Sequence, residues 1–243
     1  MNETQNTARV AVVTGASRGL GLALARALAT DGWQLVVTAR GGAELAAAET
    51  ELAALTKVVA LTGSVVDDDH RERIAEAAAA LGGASLLVNN ASTLTGYELA
   101  GARPPALADH PQAGLLETFE VNVLGPIVLT QLLLPQLRER RGAVLNISSD
   151  AAVEAYAGWG AYGASKAALD HASAVLGREE PSVAVWAVDP GDLRTRMHQE
   201  AFPGEDISDR PVPATVVPAF LGLLRDRLAS GRYSAVGLLA AGE

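Results

Sequence analysis

The 243-residue chain contains no cysteine. Disulfides, thiolate catalysis and cysteine-bound metal are therefore excluded from its chemistry. Lysine is nearly absent as well, because only Lys57 and Lys166 among the 19 basic residues are lysines. In a chain that otherwise uses arginine, Lys166 is hard to explain as an ordinary solvated surface charge.

Positive charge is in deficit, since 19 basic residues stand against 28 acidic ones and the formal net charge is −9. Such a chain repels phosphate backbones and anionic lipid, so neither nucleic acid nor a membrane is expected as a main partner. Its apolar runs are broken by charge, glycine or proline before the ~20 residues needed to span a bilayer. The first eight residues are polar and unlike a signal peptide. We therefore expect a cytoplasmic protein.

Strand-like and helix-like segments alternate along the chain. Short apolar runs predict strands, and the alanine- and leucine-rich stretches between them predict helices. The expected strands are 10–14, 35–38, 58–61, 86–89, 143–147, 183–188 and a weak one near 233. The expected helices are 20–29, 43–55, 68–81, 114–140, 161–176 and 213–228. Strands that are apolar on both faces and alternate with helices predict an α/β fold with a doubly wound parallel sheet of the Rossmann type.

No change in composition marks a linker, and there is no internal repeat, so residues 1–243 are expected to form one domain. Two proline-containing loops, 93–112 and 191–211, follow predicted strands. Parallel sheets bind their ligands at the carboxyl ends of their strands. Each loop therefore either contacts a substrate or serves only as a rigid connector.

The first strand leads directly into Thr14-Gly15-Ala16-Ser17-Arg18-Gly19-Leu20-Gly21 and then into a helix. Glycines at such a point let the main chain turn tightly and approach a pyrophosphate, which then faces the amides of the helix N-terminus. A glycine-rich turn can also be purely structural. Its position between the first strand and the first helix favours a dinucleotide site.

The spacing Gly-x3-Gly-x-Gly, together with Asn89-Asn90-Ala91-Ser92 after the fourth strand, resembles the short-chain dehydrogenase/reductase family. The resemblance implies that the first motif holds a dinucleotide and that the Asn-Asn-Ala segment braces the sheet beside the adenosine. Ser92 stands where glycine is commoner, and Ser64 stands where an aspartate usually lies near the adenine. The expected cofactor-binding residues are Gly15, Ser17, Arg18, Gly19, Leu20, Gly21, Arg40, Ser64, Val65, Asn90, Ala91, Tyr162, Lys166, Pro190, Gly191 and Thr195.

Charge beside the adenosine ribose separates the two nicotinamide cofactors. A carboxylate at the end of the second strand suits a free 2′-hydroxyl, whereas arginine suits a 2′-phosphate. That strand ends Thr38-Ala39-Arg40 without a carboxylate, and Arg18 lies in the glycine loop. The two arginines predict a phosphate clamp and hence NADP(H) as cofactor; the alternative is a pair of solvated surface arginines.

Tyr162 and Lys166 form a Tyr-x3-Lys pattern, with a proton donor and a cation one helical turn apart. Four tyrosines and two lysines would produce this spacing by chance only roughly 0.03 times in such a chain. A carbonyl that accepts hydride needs a proton donor at its oxygen. The nearby ammonium is expected to lower the pKa of the tyrosine and so ease proton transfer.

The resemblance supplies further roles at this end. It implies that Ser149, thirteen residues before Tyr162, holds the substrate oxygen in preference to Ser148. It also implies that Asn122 holds a water linking Lys166 to solvent, and that Thr195, after the Pro190-Gly191 turn, reaches the nicotinamide carboxamide. A serine that merely ends a strand and an asparagine that is only a satisfied core residue are the respective alternatives.

These residues predict an NADP(H)-dependent oxidoreductase that interconverts a carbonyl and an alcohol on a small organic substrate. A non-catalytic NADP-binding regulator and a non-redox relative are the alternatives. The first would be expected to lack the Tyr–Lys pair and the second the glycine loop. The resemblance also implies a homodimer or homotetramer formed through helices 114–140 and 161–176.

Metal and substrate contacts are less defined by the sequence. None of the four histidines fits a metal-ligand pattern, so each is expected at the surface or in a loop, and no metal is predicted. Four apolar residues near the predicted catalytic end either line a substrate pocket or pack in the core: Tyr156, Trp159, Met197 and Phe202.

Overall fold

The computed structural model describes residues 9–95 and 104–242. Part of the predicted loop 93–112 therefore lies outside the described residues. The strands are β1 Val10–Thr14, β2 Gln34–Ala39, β3 Val58–Thr62, β4 Leu86–Asn89, β5 Ala143–Ile147, β6 Ala184–Asp189 and β7 Gly231–Ser234. The helices are α1 Gly19–Thr30, α2 Gly42–Ala53, α3 Asp68–Ala80, α4 Gln112–Phe119, α5 Gly125–Glu139, α6 Gly160–Glu179, α7 Arg196–Ala201, α8 Val217–Asp226 and α9 Ala235–Ala240.

The seven strands form one parallel sheet in the order β3-β2-β1-β4-β5-β6-β7. The predicted doubly wound parallel sheet is thus confirmed. The chain runs outward in one direction from β1 to β3 and in the other from β4 to β7. Ligands in such sheets bind at this reversal, outside the carboxyl ends of the strands. The loops after β1 and β4 meet there.

Helices cover both faces of the sheet, and each face has its own apolar core. Alternate residues of β1 belong to different cores, with Ala11 and Val13 in one and Val10 and Val12 in the other. All five residues of β1 are buried. This is why the central strands contain an unbroken apolar run rather than an alternation with polar residues.

The predicted helix 114–140 is the main departure. It begins at Gln112 and contains a π-helical segment, Glu120–Leu124, between α4 and α5. Pro126 gives the physical reason, because a proline has no N–H for the carbonyl four residues earlier and its ring crowds that carbonyl. The wider π turn relieves this conflict and often occurs at functional sites. Asn122 lies inside it.

The C-terminal part differs in smaller ways. Residues 213–228 form a short 3-10 turn, Pro213–Thr215, and then α8, which ends at Arg227 in the left-handed conformation with φ 45°. The short helices α7 and α9 are absent from the sequence-based prediction. The stretch Gln112–Glu139 is long and apolar enough to pass a test for a membrane span, yet half of its most apolar window is buried in the fold. Such partial burial is typical of a core helix.

Candidate active site

One cleft of about 740 Å³ opens at the carboxyl ends of the strands. It brings together all the predicted site residues except two, Gly21 and Asn122, which pack behind its wall. The four aromatic and apolar residues predicted near the substrate also line it: Tyr156, Trp159, Met197 and Phe202. A volume in the range of ~300–1,000 Å³ is typical of cofactor and ligand sites.

The glycine loop is held against the segment after β4. Gly15 has φ 65°, and a Cβ there would lie 2.7 Å from Asn90 Nδ2, so only glycine fits. The Asn90 amide donates to the carbonyls of Thr14, at 2.9 Å, and Gly15, at 3.1 Å. The main-chain N–H groups of Asn90 and Ala91 both donate to Thr14 Oγ1 at 3.0 Å. This bracing leaves the N-terminus of α1 facing the cleft, as a pyrophosphate requires.

The predicted phosphate clamp is only partly available. Arg40 is exposed, lines the cleft, and makes no ion pair within the described part of the chain. Arg18 instead donates to Glu44 Oε2 at 2.6 Å, and Arg196 lies 3.6 Å from Glu44 Oε1. Glu44 is thus a carboxylate near the predicted 2′-phosphate position that the sequence analysis overlooked. It lies in the first turn of α2 rather than at the end of β2, where a discriminating acid is usually sought.

His70 corrects the expectation that each histidine lies at the surface or in a loop, because it is on helix α3 and buried. It is fully buried, with Nε2 2.6 Å from Thr38 Oγ1 and Nδ1 3.1 Å from Arg73 Nη2. Because arginine can only donate, Nδ1 accepts and Nε2–H donates to Thr38. Burial lowers the pKa of His70, so the ring is neutral. A Cβ at Gly63 would overlap the imidazole, so this histidine packs directly beneath the loop that contains Ser64.

At the other end of the cleft, Tyr162 and Lys166 project from α6. The Lys166 side chain is 2% exposed, and its Nζ donates to the Ile147 carbonyl at 2.8 Å. The same Nζ lies 5.4 Å from the centre of the Tyr162 ring. Trp159 packs edge-on against that ring, with centroids 5.6 Å apart. Both side chains are therefore held in place by direct contacts with other protein groups.

The expected lowering of the Tyr162 pKa is wrong for this structure. Burial raises the pKa of Tyr162 above its ordinary value near 10, and the charges of Asp189 and Asp150 raise it further. The neighbouring hydroxyls of Ser92 and Ser149 act in the opposite direction and lower the Tyr162 pKa. Burial also lowers the pKa of Lys166 to about 8. The sequence analysis counted the ammonium but not the cost of removing both groups from water.

Both Ser148 and Ser149 line the cleft at the end of β5, but Ser148 is 1% exposed whereas Ser149 is only half-buried. The Ser149 hydroxyl donates to Asp150 Oδ1 at 3.0 Å, and Asp150 Oδ2 accepts from the Tyr156 hydroxyl at 2.9 Å. The sequence analysis did not single out Asp150. Only its position beside Ser149 could have pointed to Asp150 in the sequence. That indication is weak, because acidic residues are common in turns.

Asn122 is fully buried with every side-chain bond used. Its Oδ1 accepts from the Ser92 hydroxyl at 3.0 Å and from the Thr93 N–H at 2.8 Å, while its Nδ2 donates to the Thr93 carbonyl and the Ser165 hydroxyl, each at 3.0 Å. An amide side chain has capacity for about four such bonds. The side chain therefore braces the segment after β4 against α6, and a proton relay at this residue would have to use the main-chain carbonyl.

The turn after β6 also faces the cleft. Gly191 has φ 74° with open space beside its Cα, and its N–H donates to Asp189 Oδ1 at 2.9 Å. Thr195 is the N-cap of α7, where its Oγ1 accepts from the His198 N–H at 3.2 Å. Its hydroxyl proton is not used by that bond. Thr195 therefore both begins the helix and retains a donor toward the cleft.

Comparison with known proteins agrees with this arrangement. The model of the short chain dehydrogenase family matches residues 9–206. L-fucose dehydrogenase of Bos taurus is 32% identical over 200 residues, which are 81% of this chain and 70% of that protein. Sepiapterin reductase of Mus musculus is 35% identical over 206 residues, which are 79% of this chain and 77% of that protein.

A solved structure gives the same result. Alcohol dehydrogenase from Thermococcus sibiricus, in complex with 5-hydroxy-NADP, superposes with a TM-score of 0.82 at 26% identity and covers 93% of this chain and 95% of that one. With the sheet order, the braced glycine loop and the Ser–Tyr–Lys wall already described, these matches establish that the chain belongs to the short-chain dehydrogenase family of oxidoreductases.

Proposed function

We propose that this protein is an NADP(H)-dependent oxidoreductase that interconverts a carbonyl and an alcohol on a small organic substrate. One observation carries the proposal: Ser149, Tyr162 and Lys166 line the same cleft as the glycine loop. A dinucleotide that lies along the loop would bring its reactive end to this wall. A non-catalytic regulator would not need the Tyr–Lys pair, and a non-redox relative would not need the glycine loop.

The residues of the cleft fit the proposed cofactor. Gly15 admits no side chain, so the main chain is free to approach a pyrophosphate at the start of α1. Arg40 provides positive charge for a 2′-phosphate, Arg18 adds to it when it leaves Glu44, and Ala39 puts no carboxylate at the end of β2. When bound, NADPH supplies the hydride that reduces the carbonyl carbon.

The chain's own residues then manage the proton and the charge on oxygen. The hydroxyl of Tyr162 protonates the substrate oxygen, and the hydroxyl of Ser149 donates a second hydrogen bond to it. Because burial raises the pKa of Tyr162, the phenol holds its proton more firmly and gives it up only as negative charge develops on the substrate oxygen. Lys166 stabilises the phenolate that remains and binds the cofactor ribose.

The direct test is consumption of NADPH with a panel of carbonyl compounds. The names of the relatives point the first screen toward sugars and pterins, followed by simple ketones, aldehydes and quinones. Loss of NADPH absorbance that depends on the added carbonyl is expected. If NADPH binds but no carbonyl in the panel is reduced, a non-catalytic regulator becomes the better interpretation.

Cofactor preference is proposed from the same residues. NADPH is expected to bind at least about tenfold tighter than NADH, a difference of ~1.4 kcal/mol. Fluorescence titration of both cofactors measures it, and Arg40→Asp should narrow or invert the preference. Equal dissociation constants in the unaltered protein would rule out a functional phosphate clamp.

We also propose a homodimer or homotetramer. Leu116, Leu124 and Leu132 on the α4–α5 stretch are 56%, 54% and 37% exposed, which is more apolar surface than a free helix usually presents. Light scattering at micromolar concentration should give at least twice the 25.0 kDa chain mass. A monomeric mass would refute this part of the proposal.

A further inference from the structure

Arg232, on β7 and beyond the residues that the family model matches, reaches back to the catalytic end. Its Nη2 donates to the main-chain carbonyl of Ser149 at 2.9 Å, and its Nε donates to Asp170 Oδ2 at 2.8 Å. Asp189 Oδ2 lies 3.9 Å from the same guanidinium. One side chain thus ties β7 to α6 and to the ends of β5 and β6. A lysine carries its three donors on one nitrogen and lacks this planar fork with donors on separate nitrogens.

Asp170 lies one helical turn after Lys166 on α6, with its side chain 13% exposed. One carboxylate oxygen accepts the bond from Arg232. The other, Oδ1, is buried and has no hydrogen-bond partner in the described ranges of the chain. The negative charge of Asp170 favours the protonated form of Lys166. Its position and its unused oxygen suit a counter-charge for the buried ammonium.

Lys166 needs such a counter-charge because its one hydrogen bond to the described residues is to a neutral carbonyl. The charged groups around the Tyr162–Lys166 pair are Asp170 on the same helix, Asp150 after β5, Asp189 at the end of β6 and Arg232 on β7. Three of these are carboxylates, and Arg232 contacts two of them. The Arg232 guanidinium therefore controls how strongly the negative charge of these carboxylates acts on Tyr162 and Lys166.

We propose that Asp170 and Arg232 form a positioning pair for the catalytic centre. Asp170 supplies the counter-charge of Lys166, while Arg232 moderates that charge and holds the carbonyl of Ser149 in place. The consequence for turnover rests on the proposed function, but the effect on Lys166 does not. Neither residue touches the reacting atoms, so both act through Lys166 and Ser149.

The scarcity of lysine makes the charge effect directly measurable. With 13C at the lysine side chains, an NMR pH titration should give only two signals, and exposed Lys57 serves as the internal reference. Lys166 should titrate below the ordinary lysine value of about 10.4. Asp170→Asn should move the Lys166 midpoint down by about one pH unit, and Arg232→Met should move it up by a similar amount. Opposite shifts are not expected from mere loss of structure.

The matched control is Arg225→Met, which breaks an exposed arginine–aspartate pair on α8 with partners 76% and 50% exposed. It should leave the Lys166 midpoint unchanged. Shifts in the same direction, or none, for Asp170→Asn and Arg232→Met would overturn the charge half of the proposal. If Arg232→Met does not fold by circular dichroism, the Asp170→Asn titration alone decides that half.

Arg232→Lys tests the positional half, because it keeps the charge and removes the two-way hydrogen bonding. This variant adds a third lysine signal, which is identified as the one absent from the unaltered protein. The Lys166 midpoint should stay near that of the unaltered protein, while kcat falls about tenfold or more and the dissociation constant of NADPH is unchanged. Full kcat in this variant would overturn the role at Ser149. If the unaltered protein reduces no carbonyl, the proposed function fails, yet the titration still decides whether the pair controls Lys166.

Discussion

The two ends of the cleft use charged groups in different ways. At the catalytic end, Lys166 is 2% exposed and donates to a main-chain carbonyl. At the phosphate end, the side chains of Arg18 and Glu44 are 50% and 46% exposed and pair with each other. An interaction away from water is worth several times one at the surface, where the median ion pair contributes only ~0–1 kcal/mol. Turnover should therefore respond to the loss of single atoms at the catalytic end, and cofactor affinity should respond to net charge at the phosphate end.

Tyr162→Phe should cause the largest effect. Only the hydroxyl is removed, and Trp159 still packs against the ring, so NADPH should still bind. Turnover should fall by the ~10²–10⁴-fold typical of a lost general acid. Steady-state kinetics on a substrate found by the screen measures this. More than a tenth of the original turnover in a folded variant would mean that the proton donor is elsewhere.

Lys166→Arg should come next, because a guanidinium keeps the charge but differs in size and geometry from the buried ammonium that donates to the Ile147 carbonyl. Activity should fall by about 10²-fold, the loss that a displacement of ~1 Å can cause, and NADPH should bind more weakly. The control is Lys57→Arg at the exposed lysine, which should change neither quantity. Equal tolerance at both lysines would contradict the contrast between buried and exposed charge.

His70→Ala tests how much a buried side chain beneath the loop that contains Ser64 contributes to the free energy of unfolding. Losing the imidazole leaves Thr38 without its buried partner, which should cost about 1–3 kcal/mol of unfolding free energy in urea titrations. His171→Ala, at an exposed histidine on α6, should cost little. Equal losses in the two variants would remove the argument from burial.

The loss at His70 should also depend on pH. Because burial lowers the pKa of His70, the folded protein resists its protonation and the unfolded chain does not. The stability contributed by the neutral ring is present above the ordinary histidine pKa of ~6.5 and is lost as the pH falls below it. The difference between His70→Ala and the unaltered protein should therefore shrink in acid. A constant difference would contradict a neutral buried histidine.

Glu44→Gln should have the smallest effect and the opposite sign. It frees Arg18 for a 2′-phosphate, so NADPH should bind a few-fold tighter, consistent with the ~0.2–1 kcal/mol of an exposed pair. NADH affinity should stay unchanged, and Glu72→Gln on α3 should affect neither cofactor. Tighter binding of both cofactors would show that Glu44 acts on something other than the phosphate.

Local patterns were enough to predict the fold, because each central strand is apolar on both faces and each crossover has helical length. The predicted cleft residues also came together, since motifs that follow successive parallel strands meet at one edge. Contacts between distant segments were not predictable. The Arg18–Glu44 pair joins residues 26 apart, and Arg232 meets Asp170 across 62 residues, so neither forms a local motif.

The directions of the pKa shifts could not be predicted from the sequence for a related reason. The pattern Tyr-x3-Lys gives the spacing of a phenol and an ammonium but not their exposure to water. The sign of the Tyr162 pKa change depends on burial, which Trp159 and the surrounding segments create. The depth of His70 likewise follows from the absence of a side chain at Gly63.

The π-helical segment Glu120–Leu124 absorbs about one extra residue between α4 and α5. A regular α-helix advances about 100° per residue, and a π turn accommodates about one residue more than an α turn. Removing one residue here would let the two helices merge into a continuous one while α5 keeps nearly its present rotation relative to α4. Leu129, Leu133 and Leu137, all 0% exposed, would still face the sheet. A single-residue deletion within the segment should therefore remove the wide turn that holds Asn122 but keep the contact face of α5, whereas a deletion within α5 itself would turn every later residue of that helix by about 100°.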